Sequence, residues 1–314
     1  MIPLQSPRRY GVLGTGAVGT TYGARLWSAG HPVRFCLRRD LQAGLAHGLR
    51  LDSPWGDVIV PPEALCGSPA GLAPLDVLLV ALKSTANGSL ASLLAPIQPL
   101  PPLILLLQNG LGGEESVAAA APAAQVVGGI CDVACARVAP AHVRHYAHGL
   151  VHLAPLQATP AGLAACDAVA ADLGAAGVPV SCGLPLRQLR WRKLVWNMAF
   201  SGLCTLSGRR TLELLADPLL RQRLLRVMHE VAAAAAADGA AFDPDVIDDY
   251  LAKTEAMASY APSMQLDAEA GRPLELEAIY RVPLQRAGSH GLAMPETTRL
   301  LQELEALSGA AAQA

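Results

Sequence analysis

The sequence predicts two domains, an α/β domain built on a doubly wound parallel sheet over residues 1–184 and an all-α domain over residues 185–314. Three observations predict this division. A glycine-rich turn at residues 14–19 separates an apolar run from a helical pattern. Strand-length apolar runs then alternate with helical stretches rich in Ala and Leu. From Leu186 to the end, a 3.6-residue periodicity continues without a convincing strand.

The elements of the first domain are predicted from short apolar runs and the turn residues between them. Residues 10–13 and 33–37 flank a helix over residues 20–29, and the three make a βαβ unit. The domain boundary is placed at residues 183–185, where turn residues cluster. The remaining predicted strands are residues 77–81, 103–107 and 126–130 in the parallel sheet, 49–53 with 58–60 as an inserted hairpin, and 134–138, 143–146, 150–153 and 178–181.

Composition excludes several classes of protein. The 24 basic and 26 acidic residues give a net charge of −2, which does not supply the basic footprint of a nucleic-acid binder. The longest apolar runs, at residues 77–82 and 103–107, are far shorter than the ~20 residues that a bilayer requires. No signal-peptide pattern precedes Arg8, and seven cysteines without a Cys-x-x-Cys pair indicate reduced thiols. The sequence therefore predicts a cytoplasmic protein that binds neither nucleic acid nor membrane.

The glycine-rich turn has the spacing of a Rossmann-type dinucleotide fingerprint. Its glycines allow a tight turn and close approach of a pyrophosphate to a helix N-terminus, although a plain strand-to-helix turn would look similar. Arg38 and Arg39 stand at the end of the second strand, where an NAD site would carry an acid, and they suit the 2′-phosphate of NADPH. Asp40 competes with this interpretation, but N-capping of the next helix explains it equally well. The predicted contacts of the cofactor are Gly14, Thr15, Gly16, Ala17, Val18, Gly19 and Arg38.

Two polar residues follow neighbouring strands of the predicted sheet. Lys83 comes after residues 77–82, and Asn109 comes after residues 103–107. Because the carboxyl ends of parallel strands face the ligand in open α/β sheets, both side chains are expected to contact cofactor or substrate. Taken alone, Lys83 could equally be a solvated loop lysine, and Asn109 a turn residue before Gly110.

The predicted helix over residues 186–206 carries a polar stripe. Lys193, Asn197 and Ser201 recur every four residues among large apolar side chains. Desolvation disfavours a charged amine in such surroundings, which suits a lysine for proton transfer. The alternative is that Lys193 extends to solvent beside Arg190.

Further polar residues are less specific. Ser263 and Glu275 flank a helix break at Gly271, and by its local pattern Glu275 is only an acid near a helix start. A metal site is not predicted, because strand alternation separates one histidine from three others and no carboxylate or thiol completes a ligand set. Cys131 and Cys135 are interpreted as core thiols rather than a redox pair. The four histidines are His142, His145, His148 and His152.

Taken together, these segments make the chain resemble the ketopantoate reductase (2-dehydropantoate 2-reductase) family over nearly its whole length. The resemblance implies an N-terminal NADPH-binding Rossmann domain and a helical C-terminal domain that together reduce a 2-oxo acid to a D-2-hydroxy acid. In the pantothenate pathway the substrate would be ketopantoate. The matching segments are GVLGTGAVGTTYGARL, GLRLDSPWGD, ALKS, LQNGLG, LRWRKLVWNMAF, PSMQLDAEAGRPLELEAIY and HGLAMPETTRL.

The resemblance also implies roles for single residues. Lys193 would be the general acid that protonates the carbonyl oxygen, and Glu275 would anchor the substrate hydroxyl and hold Lys193. Asn109 and Lys83 would lie beside nicotinamide and substrate. The remaining substrate contacts implied by the family are Asn197, Ser201 (where the family often has a second Asn) and Ser263, which would bind the carboxylate.

Departures from the family pattern leave the substrate open. Leu274, Glu277 and the pair Tyr280-Arg281 stand where the family often has Thr, Asp and Asn-Gly. One alternative is a family member that reduces another branched or aromatic 2-oxo acid, and a second is a non-catalytic NADP-binding redox sensor. The oligomeric state is also open, because an apolar helix of the second domain can bury its face against the first domain or in a homodimer.

Overall fold

A computed structural model describes residues 6–243 and 245–311. The chain forms two compact units. One comprises Met1–Gln108 and Gly113–Leu186, and the other comprises Asn109–Gly112 and Arg187–Ala314. No helix within the described ranges has the length and apolar character that are needed to cross a membrane.

The first unit contains one mixed sheet, in which the strand order is β4-β3-β9-β8-β7-β6-β1-β2-β5 and β10 pairs with β9. Neighbouring strands from β8 to β5 are parallel along this order, whereas the pairs β8–β9 and β3–β4 are antiparallel. The strands are β1 (Tyr10–Leu13), β2 (Val33–Cys36), β3 (Leu49–Asp52), β4 (Val58–Val60), β5 (Leu65–Cys66), β6 (Val77–Val80), β7 (Leu103–Leu106), β8 (Gln125–Ala139), β9 (His142–Pro155) and β10 (Val180–Ser181).

The central strands β1, β6 and β7 are apolar because both of their faces are covered. Tyr10 and Val12 belong to the apolar cluster on one face, and Leu13 belongs to that on the other. The helices of this unit are α1 (Ala17–Ser28), α2 (Leu41–His47), α3 (Leu90–Leu94), α4 (Gly113–Ala120) and α5 (Pro160–Ala175), with 3-10 turns at Pro62–Ala64, Pro69–Leu72 and Ser84–Ser89. The predicted α/β class is confirmed.

One predicted connection is wrong. Residues 126–130 and 134–138 were predicted as separate strands, but β8 runs from Gln125 to Ala139 and β9 returns antiparallel to it. The reversal occurs at Ala141, whose φ of 52° is that of a tight turn. Register shifts at Asp132/Val133 and at Ala134/Cys135 interrupt the long ladder. The patches predicted at 134–138, 143–146 and 150–153 are therefore parts of one extended hairpin.

The second unit is all-α, as predicted. The expected helix over residues 186–206 consists of α6, a π-helical segment at Asn197–Ser201, and α7. Trp191 and Phe200 are fully buried in its apolar core. The helices are α6 (Leu186–Trp196), α7 (Gly202–Ser207), α8 (Thr211–Ala216), α9 (Pro218–Ala237), α10 (Val246–Glu255), α11 (Ser263–Glu269), α12 (Val282–Ser289) and α13 (Pro295–Ala311), and a second π-helical segment, Glu277–Arg281, precedes α12.

Candidate functional site

The glycine-rich turn packs tightly against the end of β6 and is open on one side. Gly14 has a φ of +101°, and a Cβ atom there would lie 2.8 Å from the Ala81 carbonyl oxygen. A Cβ atom at Gly19 would overlap the Gly14 oxygen. At Gly16, by contrast, an added Cβ would meet no heavy atom within 4 Å, directly before the start of α1. This open cradle at a helix N-terminus fits a dinucleotide pyrophosphate.

Gly14→Ala and Gly16→Ala are expected to separate folding from cofactor binding. At Gly16 the backbone φ of −91° accommodates alanine, so stability should be unchanged or should rise by about 0.4–1 kcal/mol. The new methyl group would occupy the cradle, so the Kd for NADPH should rise about 10-fold or more. Gly14→Ala forces a left-handed φ and a backbone clash, and should destabilise the fold by about 2 kcal/mol or more. Thermal unfolding and fluorescence titration with NADPH measure both effects, and equal destabilisation by the two variants would contradict this reading.

The end of β2 presents arginines and a paired acid. Arg38 and Arg39 are exposed just beyond this strand. Asp40 occupies the N-cap position of α2, but its side chain makes no capping hydrogen bond, so the capping explanation for this residue is wrong. Its carboxylate instead accepts bonds of 2.6 and 2.8 Å from Arg137 on β8. The Thr15 hydroxyl donates to the Cys36 carbonyl at 2.7 Å and so ties the glycine turn to this strand end.

Gln108, which was not among the predicted site residues, links the loops that follow β6 and β7. Its buried side chain donates to the Asn87 side-chain oxygen at 2.9 Å and more weakly to the Lys83 carbonyl at 3.5 Å. Lys83 itself is exposed at the start of the 3-10 turn Ser84–Ser89. In the sequence, the only indication of this link is that polar Gln108 stands between the end of an apolar run and Asn109.

Asn109 belongs to the second unit, although the surrounding chain belongs to the first. The segment Asn109–Gly112 is bound to the π-helical segment Glu277–Arg281. The Leu111 amide donates to the Ala278 carbonyl at 2.9 Å, and a Cβ atom at Gly110 would lie 2.5 Å from the same oxygen. Only glycine permits this approach, so the short segment that begins with half-buried Asn109 is held against Glu277–Arg281.

The polar stripe of α6 continues into the π-helical segment Asn197–Ser201. Lys193 is half-buried, whereas Asn197 and Ser201 are only 6% and 4% exposed. The Tyr280 hydroxyl donates to the Met198 carbonyl at 2.8 Å, and it fits because a Cβ atom at Gly202 would overlap it. π-Helical turns are rare and frequently mark functional positions. Here two of them pack against each other.

A polar network around buried Asp238 anchors α6 close to Lys193. The Trp191 indole donates to Asp238 at the end of α9 at 2.8 Å, and His290 and Arg286 lie 3.2 and 3.4 Å from the same carboxylate. Burial tends to raise the pKa of Asp238, but the bonds from Trp191 and His290 and the nearby arginines outweigh it, so the pKa is lowered. The anion therefore persists and fixes α6 two residues before Lys193.

Ser263 and Glu275 lie on opposite sides of the break after α11. Ser263 is the exposed first residue of α11, a helix that packs against the segment Asn197–Ser201. Glu275 is 4% exposed just before the helical stretch that includes Glu277–Arg281, and its carbonyl accepts from the Ile279 amide at 3.2 Å. All six residues predicted for substrate and catalysis therefore lie in the second unit, and the segment Asn197–Ser201 contacts both α11, which begins at Ser263, and the segment Glu277–Arg281.

Three of the four histidines have side-chain partners within the fold. His142 lies 2.9 Å from Asp52, and His152 lies 3.5 Å from Asp132. His145 is buried, with Nδ1 2.9 Å from the Ser53 hydroxyl and its ring edge-on to Trp55. Among the described residues, no group of three or more His, Cys, Asp or Glu side chains is arranged to hold a metal. Cys131 and Cys135 are half-buried on β8, and burial raises the pKa of Cys135 to about 11.

Comparison with known proteins gives consistent matches. The model of the family "Ketopantoate reductase PanE/ApbA" matches residues 10–158, and that of its C-terminal domain matches residues 185–308. A 2-dehydropantoate 2-reductase of Nostoc sp. is 35% identical over 305 residues, which cover 96% of each chain. The crystal structure of 2-dehydropantoate 2-reductase from Geobacter metallireducens is 37% identical, with a TM-score of 0.89, and covers 95% of this chain and 99% of that one. D-Mandelate dehydrogenase with NADH and anilino(oxo)acetate, at 22% identity and a TM-score of 0.86 over 96% of this chain and 99% of that one, shares the fold.

Proposed function

Because the chain belongs to the ketopantoate reductase family, we propose that it reduces 2-dehydropantoate to D-pantoate with NADPH, as a step of pantothenate biosynthesis. One observation carries the proposal beyond the match itself. The second unit holds a half-buried lysine, Lys193, together with buried Asn197, Ser201 and Glu275. Buried polar groups are costly unless they serve binding or catalysis or are satisfied within the fold, so this concentration supports a substrate site.

The chemistry follows from where charge develops in the reaction. NADPH, when bound, supplies the hydride that adds to the carbonyl carbon of the 2-oxo acid. Negative charge then builds on the carbonyl oxygen, and Lys193 is proposed to donate a proton to that oxygen from Nζ. The half-buried position of Lys193 limits competition from water for this proton.

The remaining residues are proposed to orient the substrate. Glu275 would accept a hydrogen bond from the substrate hydroxyl and hold the Lys193 ammonium, since a carboxylate is an acceptor for both. Ser263, exposed at the start of α11, would donate to the substrate carboxylate. Asn109 and Asn197 would bind further polar groups, with Ser201 supplying a shorter hydroxyl where the family often has a second Asn.

We propose that the glycine turn, Lys83 and Arg38 hold the cofactor. Arg38→Gln removes the guanidinium proposed to bind the 2′-phosphate, and a charge-assisted hydrogen bond contributes about 1.5–3 kcal/mol. We therefore expect the KM for NADPH to rise about 10- to 100-fold while the KM for NADH changes little. Initial rates with each cofactor measure the effect. Arg144→Gln, at an exposed arginine of β9, is the matched control, and an equal change for NADPH and NADH would exclude the role of Arg38.

The experiment that tests the function is NADPH oxidation by purified protein with ketopantoate and a panel of branched and aromatic 2-oxo acids. Selective turnover of ketopantoate supports the proposal. Turnover of another acid alone would favour a sister specificity, for which Tyr280 in place of the usual Asn is the first position to examine. NADPH binding without turnover of any acid would favour the redox-sensor alternative.

We also infer a cytoplasmic location, because no disulfide joins any of the seven cysteines, all of which lie in the described ranges. The partner is a small-molecule 2-oxo acid. A homodimer stays a prediction that sedimentation of the purified protein tests.

A further inference from the structure

Two cysteines face each other at one edge of the parallel sheet. Cys36 ends β2 and Cys66 ends β5, and the two are register partners on these adjacent parallel strands. Both are half-buried against the same apolar cluster. The Cys66 thiol donates to the Phe35 carbonyl at 3.5 Å, and the two thiols are close enough for each to change the pKa of the other. The fold therefore holds two thiols side by side.

The surroundings of Cys66 favour its thiolate form. The bond that Cys36 donates lowers the pKa of Cys66 to about 7 against the effect of burial, and the Arg34 charge adds to it. The same contact raises the pKa of Cys36. A second thiol pair in this unit differs: burial, followed by the neighbouring Cys182 thiol, raises the pKa of Cys166 to about 12. At neutral pH only the first pair combines a ready nucleophile with a resolving thiol.

We propose that Cys36 and Cys66 form a redox-active dithiol, which a peroxide converts to an intramolecular disulfide, and that this oxidation weakens binding of the nicotinamide dinucleotide. The Cys66 thiolate attacks a peroxide oxygen, the O–O bond breaks, and one water leaves once the released hydroxide is protonated. The Cys36 thiol then attacks the sulfenic sulfur, the S–S bond forms, the S–O bond breaks, and a second water leaves. Two thiols are oxidised, and one hydrogen peroxide is reduced to two waters.

Oxidation is expected to weaken cofactor binding because the ends of β2 and β5 also position the predicted cofactor contacts. A disulfide favours Cα atoms about 5.5–6 Å apart and Cβ atoms about 3.8 Å apart, whereas paired parallel strands lie about 4.8 Å apart, so closing the bond is expected to shift the ends of β2 and β5 relative to each other. The Cys36 carbonyl accepts from Thr15 of the glycine turn at 2.7 Å, and the Cys66 carbonyl accepts from the Leu37 amide at 2.9 Å. Arg38 follows directly. This half of the inference rests on the proposed cofactor role of Thr15 and Arg38.

The test treats the full-length protein with a slight excess of hydrogen peroxide at pH 7.5. Non-reducing peptide mapping should find Cys36 linked to Cys66, with Cys166 and Cys182 still reduced. The Kd for NADPH from fluorescence titration should rise about 5-fold or more and return after dithiothreitol treatment. Absence of the 36–66 link, or an unchanged Kd once the link has formed, overturns the proposal.

Variants make the assignment specific. Cys66→Ser and Cys66→Ala should both abolish the peroxide-induced change in Kd, and Cys182→Ser should retain it. Two substitutions at Cys66 are used in case one of them prevents folding, and thermal unfolding shows whether each variant is folded. If the Cys66 variants respond to peroxide as the parent protein does, the dithiol is not the sensor. Neither peptide mapping nor the Kd for NADPH depends on turnover of ketopantoate. A failure of the proposed reductase activity would therefore be distinguishable from a failure of the dithiol proposal.

Discussion

Replacing Lys193 with Met is expected to lower kcat for ketopantoate by about 10³-fold, because a positioned general acid contributes about 10²- to 10⁴-fold. The change keeps an unbranched side chain of similar length, so the packing of α6 should persist. NADPH affinity should stay within about 2-fold, because the predicted pyrophosphate contacts belong to the glycine turn of the other unit. Single-turnover rates of NADPH oxidation, with a separate fluorescence titration of cofactor binding, measure the two effects.

Lys253→Met is the matched control, because Lys253 is another helical lysine of the same unit but is exposed on α10. Its kcat should equal that of the parent protein. Thermal unfolding of both variants separates catalysis from folding, since the network of Trp191 and Asp238 that anchors α6 is untouched. A kcat for Lys193→Met within about 3-fold of the parent value would remove Lys193 from the role of general acid.

The parts of the fold that the sequence predicted are those encoded by local pattern. The turn between β1 and α1 is one example, since Gly14 requires a left-handed backbone that few residues other than glycine adopt. Strands β6 and β7 were equally visible, because burial on both faces leaves uninterrupted apolar runs. The extended hairpin of β8 and β9 was not, because its pairing depends on contacts across the whole ladder rather than on any short segment.

The candidate site divides in the same way. The stripe of Lys193, Asn197 and Ser201 follows helical periodicity, and the sequence predicts it. The π-helical segment Asn197–Ser201 receives a hydrogen bond at the Met198 carbonyl from Tyr280, 82 residues further along the chain, and no local pattern encodes this contact. The grouping of Asn109 with the second unit similarly depends on the Leu111–Ala278 hydrogen bond.

Electrostatic pairing is the other feature that the sequence leaves open. Asp40 was read as a helix cap, yet its partner is Arg137, 97 residues away. The sequence around Asp40 fits both a helix cap and a cofactor-binding acid, and only its tertiary partner distinguishes between them. Asp40 is an acid beside Arg38 and Arg39 that would favour NADH over NADPH, and its pairing with Arg137 is in keeping with the predicted use of NADPH.

Glu275→Gln is expected to lower kcat/KM for ketopantoate by about 10²-fold. The substitution keeps the shape of the side chain and removes its charge, and a hydrogen bond to a charged group contributes about 1.5–3 kcal/mol. Because Glu275 is proposed both to anchor the substrate hydroxyl and to hold the Lys193 ammonium, the loss should appear in KM as well as in kcat. Steady-state kinetics over a range of ketopantoate concentrations separate the two parameters.

Glu277→Gln provides a control two residues away. Its side chain is 60% exposed and pairs with Arg281 one helical turn further on, and such surface pairs contribute little. This variant should retain the parent kcat/KM. If both glutamate variants lose activity equally, the substitutions disturb the helical stretch that begins after Glu275, and the loss does not report a carboxylate that contacts the substrate. If only Glu275→Gln loses activity and its Tm is unchanged, the buried charge acts on the substrate or on Lys193, as the proposed mechanism requires.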